Sequence, residues 1–161
     1  MKIKGLIETD LINFISPCMT IETNKCSFKC DKECGKPVCQ NSDLAAAPDI
    51  DISINELILR YLNNPITQAI VFQGLEPFDS WDDVNDFIFT LRKTYNCEDY
   101  VIIYTGYTEE ELHQKGIYPE HFNYKNIIIK FGRFIPNKHS RFEPLLGVEL
   151  ASDNQYAKEF S

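Results

Sequence analysis

Four of the six cysteines lie in one short stretch from Lys25 to Asn41, as Cys26, Cys30, Cys34 and Cys39, with three, three and four residues between them. That spacing follows neither a strand nor a helix period, and the Lys, Asp, Gly and Pro residues between them do not make a packed core element. Thiolates so close in sequence are held together by ligating zinc or iron, or by pairing as disulfides. Zinc sites set two short knuckles well apart along the chain, so a single run of four makes a poor zinc ribbon. Spacing therefore ranks an iron–sulfur site first and leaves zinc and disulfides open. The other two cysteines read more plainly: Cys18 as a small buried strand residue and Cys97 as a lone thiol without a role.

The end of the stretch, Cys39-Gln40-Asn41-Ser42-Asp43-Leu44, resembles the close of the cluster motif in radical S-adenosylmethionine enzymes, where an Asn and a short helix follow a C-x3-C-x2-C run. On that resemblance Cys26, Cys30 and Cys39 are the ligands, and Cys34 is a spare candidate inside an insertion of six residues. Gln73-Gly74-Leu75-Glu76-Pro77 is similar to the family's Gly-Gly-Glu-Pro turn, with Leu75 in place of the second glycine. The segment Tyr104-Thr105-Gly106-Tyr107-Thr108-Glu109-Glu110-Glu111-Leu112 closely resembles the small anaerobic ribonucleotide reductase activating proteins. Gly132-Arg133-Phe134-Ile135 is similar to a turn of that subfamily, with Phe131 where an Asp is usual. Leu150-Ala151-Ser152-Asp153-Asn154-Gln155 resembles its Gly-Ser-Ser-Asn-Gln segment at Ser152, Asn154 and Gln155.

The resemblance implies a 4Fe-4S cluster on three thiolates, whose open iron chelates S-adenosylmethionine. It places Asn41, Gly74, Glu76, Thr105, Ser152 and Asn154 around that cofactor and asks for no catalytic residue beyond the cluster. The implied reaction is reductive cleavage to a 5′-deoxyadenosyl radical. That radical takes a hydrogen atom from a glycine of an anaerobic ribonucleotide reductase or another glycyl-radical enzyme, with flavodoxin or ferredoxin as electron donor. A different peptide or small-molecule substrate is the first alternative; a non-catalytic electron-transfer or zinc-binding module is the second.

Composition narrows the setting. With 161 residues the chain suits one domain, taken here as 1–161 with the cluster loop at 26–41. A net charge of −8 disfavours nucleic acid as a partner. No apolar run is long enough to span a bilayer, and charges in Met1–Asp10 argue against a signal peptide, so the expected location is the cytoplasm. A reducing compartment in turn lowers the disulfide reading.

The elements that must position the loop follow from periodicity. Met19–Glu22 reads as the strand delivering it, and Ala69–Phe72, Tyr100–Tyr104 and Asn126–Phe131 read as buried strands. Between them, Ser53 with Glu56, Ser80, and Thr108 with Glu111 mark helix starts. Asn137–Phe142 reads as a mobile polar loop, and His113, His121 and His139 as solvated residues. Alternating strands and helices predict an α/β fold, an open partial (βα) barrel of parallel strands of the radical S-adenosylmethionine type.

Overall fold

The computed structural model describes residues 1–160. It opens with strands β1 (Lys2–Asp10) and β2 (Cys18–Thr23), helices α1 (Lys29–Cys34) and α2 (Ser42–Ala46), strand β3 (Ile50–Asp51) and helix α3 (Ile54–Asn63). There follow strand β4 (Ala69–Gly74), helix α4 (Trp81–Lys93), strand β5 (Tyr100–Tyr104) and helix α5 (Glu109–Gln114). Strands β6 (Ile127–Phe131), β7 (Arg141–Glu143), β8 (Val148–Leu150) and β9 (Tyr156–Phe160) complete it.

The four apolar runs form strands β2, β4, β5 and β6, which pair in parallel in that order. The expected partial barrel of parallel strands is nevertheless overturned. One mixed seven-stranded sheet runs β3-β1-β2-β4-β5-β6-β9, with β1 antiparallel to β2 and β3, and β9 antiparallel to β6. The reason lies in two stretches whose charges mask strand character. Lys2 and Glu8 are exposed on β1 while Ile3 is buried, and Lys158 and Glu159 are exposed on β9 beside buried Phe160. A short loop returns β1 into β2, so no helix crossover forms there and both edges of the parallel centre are closed by antiparallel strands.

Helices α3, α4 and α5 all cover the same face. Leu57, Ile58 and Tyr61 of α3, Val84, Phe87, Ile88 and Leu91 of α4 and Leu112 of α5 pack on Ile21, Phe72, Ile103 and Ile129. Phe72 and Phe87 meet edge to face at 5.1 Å. Helix α3 starts at Ser53, whose Oγ accepts the Glu56 N–H at 3.1 Å, but the Glu56 carboxylate turns to Arg60 and leaves the capping box half made. Helix α5 has the whole box, with Thr108 and Glu111 each accepting the other's N–H. Ser80 precedes α4 without capping it through its side chain. Buried Arg92 ties the end of α4 down by donating to the carbonyls of Cys97, Asp99 and Lys125.

The opposite face is covered by small pieces. Phe14, from the β1–β2 connection, and Leu146 and Leu150, from the β7–β8 hairpin, close over Cys18, Ala69, Val71, Ile102 and Ile128. The segment read as a mobile loop thus ends in a paired strand, β7. These covers reach only part of the way along the strands. Where they stop, an open cavity begins.

Candidate metal centre

Strands β2, β4, β5 and β6 end on the same side of the sheet, and the loops after them enclose a cavity of about 340 Å³. The loop after β2 carries the cysteines and is pinned at both ends to the end of β4. At its start the Glu76 N–H donates to the Lys25 carbonyl at 2.8 Å; at its end Asn41 Nδ2 donates to the Gly74 carbonyl at 2.5 Å. Gly74 has φ +93°, and a Cβ there would stand 2.8 Å from Cβ of Glu22, so this position accepts only glycine without a shift of β2.

Within the loop, Asp31 folds the inserted residues back on themselves. Its Oδ1 accepts the N–H groups of Val38 and Cys39, both at 2.8 Å, which returns Cys39 to the side of Cys30. Phe28 takes a left-handed conformation (φ 51°) and lets α1 turn over the cavity. Backbone amides point at two of the sulfurs: Phe28 N–H donates to Cys26 Sγ at 3.2 Å and Asn41 N–H to Cys39 Sγ at 3.4 Å. Cys26, Cys30 and Cys39 all line the cavity, whereas Cys34, one turn beyond Cys30 on α1, is not on its wall. Burial pushes the Cys26 thiol up to about 11, and burial with the adjacent Cys39 pushes Cys30 up to about 12. Three soft sulfur donors, two of them with N–H groups aimed at them, suit an iron–sulfur cluster, whose thiolates are tuned by such hydrogen bonds.

The loop is braced from outside by charge. Arg133 reaches Glu33 at 3.1 Å and Glu111 at 2.6 Å, while Lys29 pairs with Glu111 and lies 3.8 Å from Glu33. Burial works against ionisation of Glu111, but Lys29, the Thr108 N–H and Arg133 outweigh it and hold the carboxyl down at about 2. Asp79 adds a second brace, accepting the Ser27 N–H at 2.9 Å and the Tyr107 hydroxyl at 2.7 Å.

Of the residues expected around a cofactor, Asn41, Gly74, Glu76 and Thr105 line the cavity. Glu76 is buried and works as a clamp: its carboxylate accepts the Thr105 hydroxyl at 2.7 Å and the N–H groups of Gly106 at 2.9 Å and Phe78 at 3.1 Å. Burial still pushes this carboxyl up to about 7. Ser152 and Asn154 are not brought to the wall. Asn154 Nδ2 holds the Arg133 carbonyl at 2.9 Å and Ser152 Oγ accepts the Ile135 N–H at 3.4 Å, so both buttress the turn after β6. Their neighbour Gln155 does line the cavity, with Nε2 on the Gly132 carbonyl at 3.0 Å. Nor is His113 isolated, since its Nε2 lies 3.1 Å from Glu120 on the outer surface.

Sequence reasoning passed over Glu22, Gln73 and Lys130, which also line the cavity. The signal was present for Lys130 and Glu22, each a lone charge inside an otherwise apolar strand.

The model of a family described as a 4Fe-4S single cluster domain matches residues 18–155, more than half of the chain, including the cysteine loop and the four parallel strands. Comparison with curated proteins and with solved structures gave no match. Among the described residues, no helix is long and apolar enough to cross a membrane.

Proposed function

The chain belongs to the 4Fe-4S single cluster domain family and is an iron–sulfur protein; from that premise we propose that it is a radical S-adenosylmethionine enzyme that activates a glycyl-radical partner. Cys26, Cys30 and Cys39 hold the cluster. The observation that carries this reading is that these three thiols share the cavity wall while Cys34 stands off it. Three protein ligands leave one iron of a 4Fe-4S cluster for another molecule, whereas a simple electron carrier uses four.

Bound there, the cluster supplies a reducing electron and an open coordination site for the amino and carboxylate groups of S-adenosylmethionine. The protein's own part is to hold and orient. Asn41 and Gly74 lock the cysteine loop to β4, Glu76 and Thr105 fix the two turns beside it, and the loops limit access of water from the cluster side. Since the chemistry is the cofactors', no acid–base pair is required of the chain. The partner we assign is an anaerobic ribonucleotide reductase or a similar glycyl-radical enzyme, with flavodoxin or ferredoxin supplying the electron.

The test is anaerobic reconstitution with iron and sulfide, reduction, addition of S-adenosylmethionine and mass spectrometry for 5′-deoxyadenosine. Its formation, retained in Cys34→Ala, supports the proposal. A loaded and reducible cluster that yields none, or a cluster lost in Cys34→Ala, overturns it in favour of electron transfer.

A further inference from the structure

The floor of the cavity is one lateral row of side chains across the four parallel strands. Glu22 pairs in register with Gln73 and Tyr104 with Lys130; Phe72 opposite Ile103 places Gln73 beside Tyr104 one residue on. Residues in lateral register point to the same face, so the row reads Glu22, Gln73, Tyr104, Lys130, and all four line the cavity. Its ends carry opposite charges. With adjacent strands roughly 4.8 Å apart, three intervals separate β2 from β6 by about 14 Å, and Glu22 and Lys130 form no ion pair with each other.

Neither charge has an ion-pair partner among the described residues, although Lys130 Nζ lies 5.8 Å over the Tyr104 ring. Lys130 is 7% exposed and donates to the Gly132 carbonyl at 2.8 Å. The carboxylate next to it, Glu76, already accepts three hydrogen bonds from other groups. Burial draws the Lys130 ammonium down to about 8, with Glu76 opposing. At the other end the Glu22 carboxylate is half-buried, has no hydrogen-bond or ion-pair partner among the described residues, and feels Asp10, a like charge. Room has been kept for it: a Cβ on Gly5, its ladder partner on β1, would meet Glu22 Oε2 at 2.1 Å. A buried charge such as Lys130, and in lesser degree a half-buried one such as Glu22, carries a desolvation cost that a ligand of complementary charge relieves.

We propose that this row is a binding site for an elongated molecule carrying both charges, its anionic group on Lys130 and its cationic group on Glu22 and Gln73. The middle of the row is set by Tyr104, whose hydroxyl is already committed to the Asn13 carbonyl at 2.7 Å and so presents its ring. The site does not depend on the radical reading, because these four residues face the cavity whatever the thiols hold. Either the cofactor or a second substrate could carry the two charges.

The experiment uses calorimetric titration of the full chain, purified anaerobically, with 8-aminooctanoate, octanoate and octylamine. All three share the hydrocarbon, so differences among them isolate the charged ends. The wild type should bind 8-aminooctanoate at least about tenfold more tightly than either singly charged probe, a gain of roughly 1.4 kcal/mol. Lys130→Met should reduce it to the level of octylamine, Glu22→Gln to the level of octanoate, and Lys130→Arg should restore preference for the carboxylate. Equal binding of the three probes, or a preference unchanged by both variants, overturns the proposal. So does loss of all three probes in a variant that still melts as the wild type does. On cluster-loaded protein, displacement of 8-aminooctanoate by S-adenosylmethionine assigns the row to the cofactor, and simultaneous binding assigns it to a second substrate. A protein that binds the zwitterion yet forms no cluster upholds the row and rejects the function proposed above.

Discussion

The two faces of the sheet use the same four strands and diverge only near their ends. On the helical face the row Ile21, Phe72, Ile103 and Ile129 is fully buried under three helices. On the other face Thr20, Val71, Ile102 and Ile128 form an equally buried row, but the next residue facing that way turns to Glu22, Gln73, Tyr104 and Lys130. A step of two residues along each strand therefore separates packing from chemistry. One face supplies the fold's stability; the other trades it, over one row, for charges without an ion-pair partner among the described residues and a cavity beneath the cysteine loop. Polar residues can sit there because the covering pieces, Phe14 and the β7–β8 hairpin, stop short.

The comparison breaks if the two faces respond alike to mutation. The largest contrast should come from Cys39→Ala set against Phe72→Ala. Cys39→Ala should abolish the cluster, read as iron and sulfide content and visible absorbance, while the melting of the cluster-free protein stays within about 0.5 kcal/mol of wild type. Phe72→Ala should cost about 3–5 kcal/mol in denaturant unfolding, since the cavity it leaves is walled by rigid neighbours such as Phe87. Should Cys39→Ala unfold the cluster-free chain as strongly as Phe72→Ala does, the loop would belong to the core.

A middle-sized effect tests Glu76, which touches both regions. Its folded pKa lies near 7, above the ordinary 4.5, so the folded protein binds more protons than the unfolded chain between those values. Stability from this group is complete below about pH 4.5 and declines as pH rises through 7. Glu76→Gln should flatten that decline in urea-melting series from pH 5 to 8. A slope unchanged in Glu76→Gln would assign the pH dependence to another group.

How much could be read in advance followed the same division. Continuous apolar runs made β2, β4, β5 and β6 legible, because burial on both faces leaves a pattern that at most one charge, Glu22 in β2 and Lys130 in β6, interrupts. The capping pairs at Ser53 and Thr108 marked α3 and α5 for a local reason, a side-chain oxygen within reach of the third amide. The edge strands β1 and β9 escaped because one side of each meets water, so their lysines and glutamates resemble loop. Within the centre, the cysteine spacing exposed the loop, yet nothing local showed that Asp31 folds the insertion back to Cys30. Lys130 and Glu22 were visible as lone charges in apolar strands, but their meeting across one cavity depends on register between strands far apart in sequence. Ser152 and Asn154 were drawn to the site by motif alone; their hydrogen bonds run to the turn after β6.

The smallest effect concerns the brace outside the loop. Glu111 has a folded pKa near 2 against an ordinary 4.5, so its contribution is present above about pH 4.5 and is lost as pH falls toward 2. The carboxylate is 18% exposed and Arg133 14%, while Lys29 is 40% exposed, so solvent screens part of the network. Glu111→Gln should therefore lower unfolding free energy by no more than about 1 kcal/mol at pH 7. The same change removes the anion to which both Lys29 and Arg133 bind, and with it the tie between α1 and the start of α5. Iron should then pass to a colorimetric chelator faster than from wild type at equal stability, and added salt should speed the wild type toward the variant's rate. An unchanged release rate in Glu111→Gln would show that Asp31, Asn41 and the backbone of β4 hold the cysteine loop without help from this network.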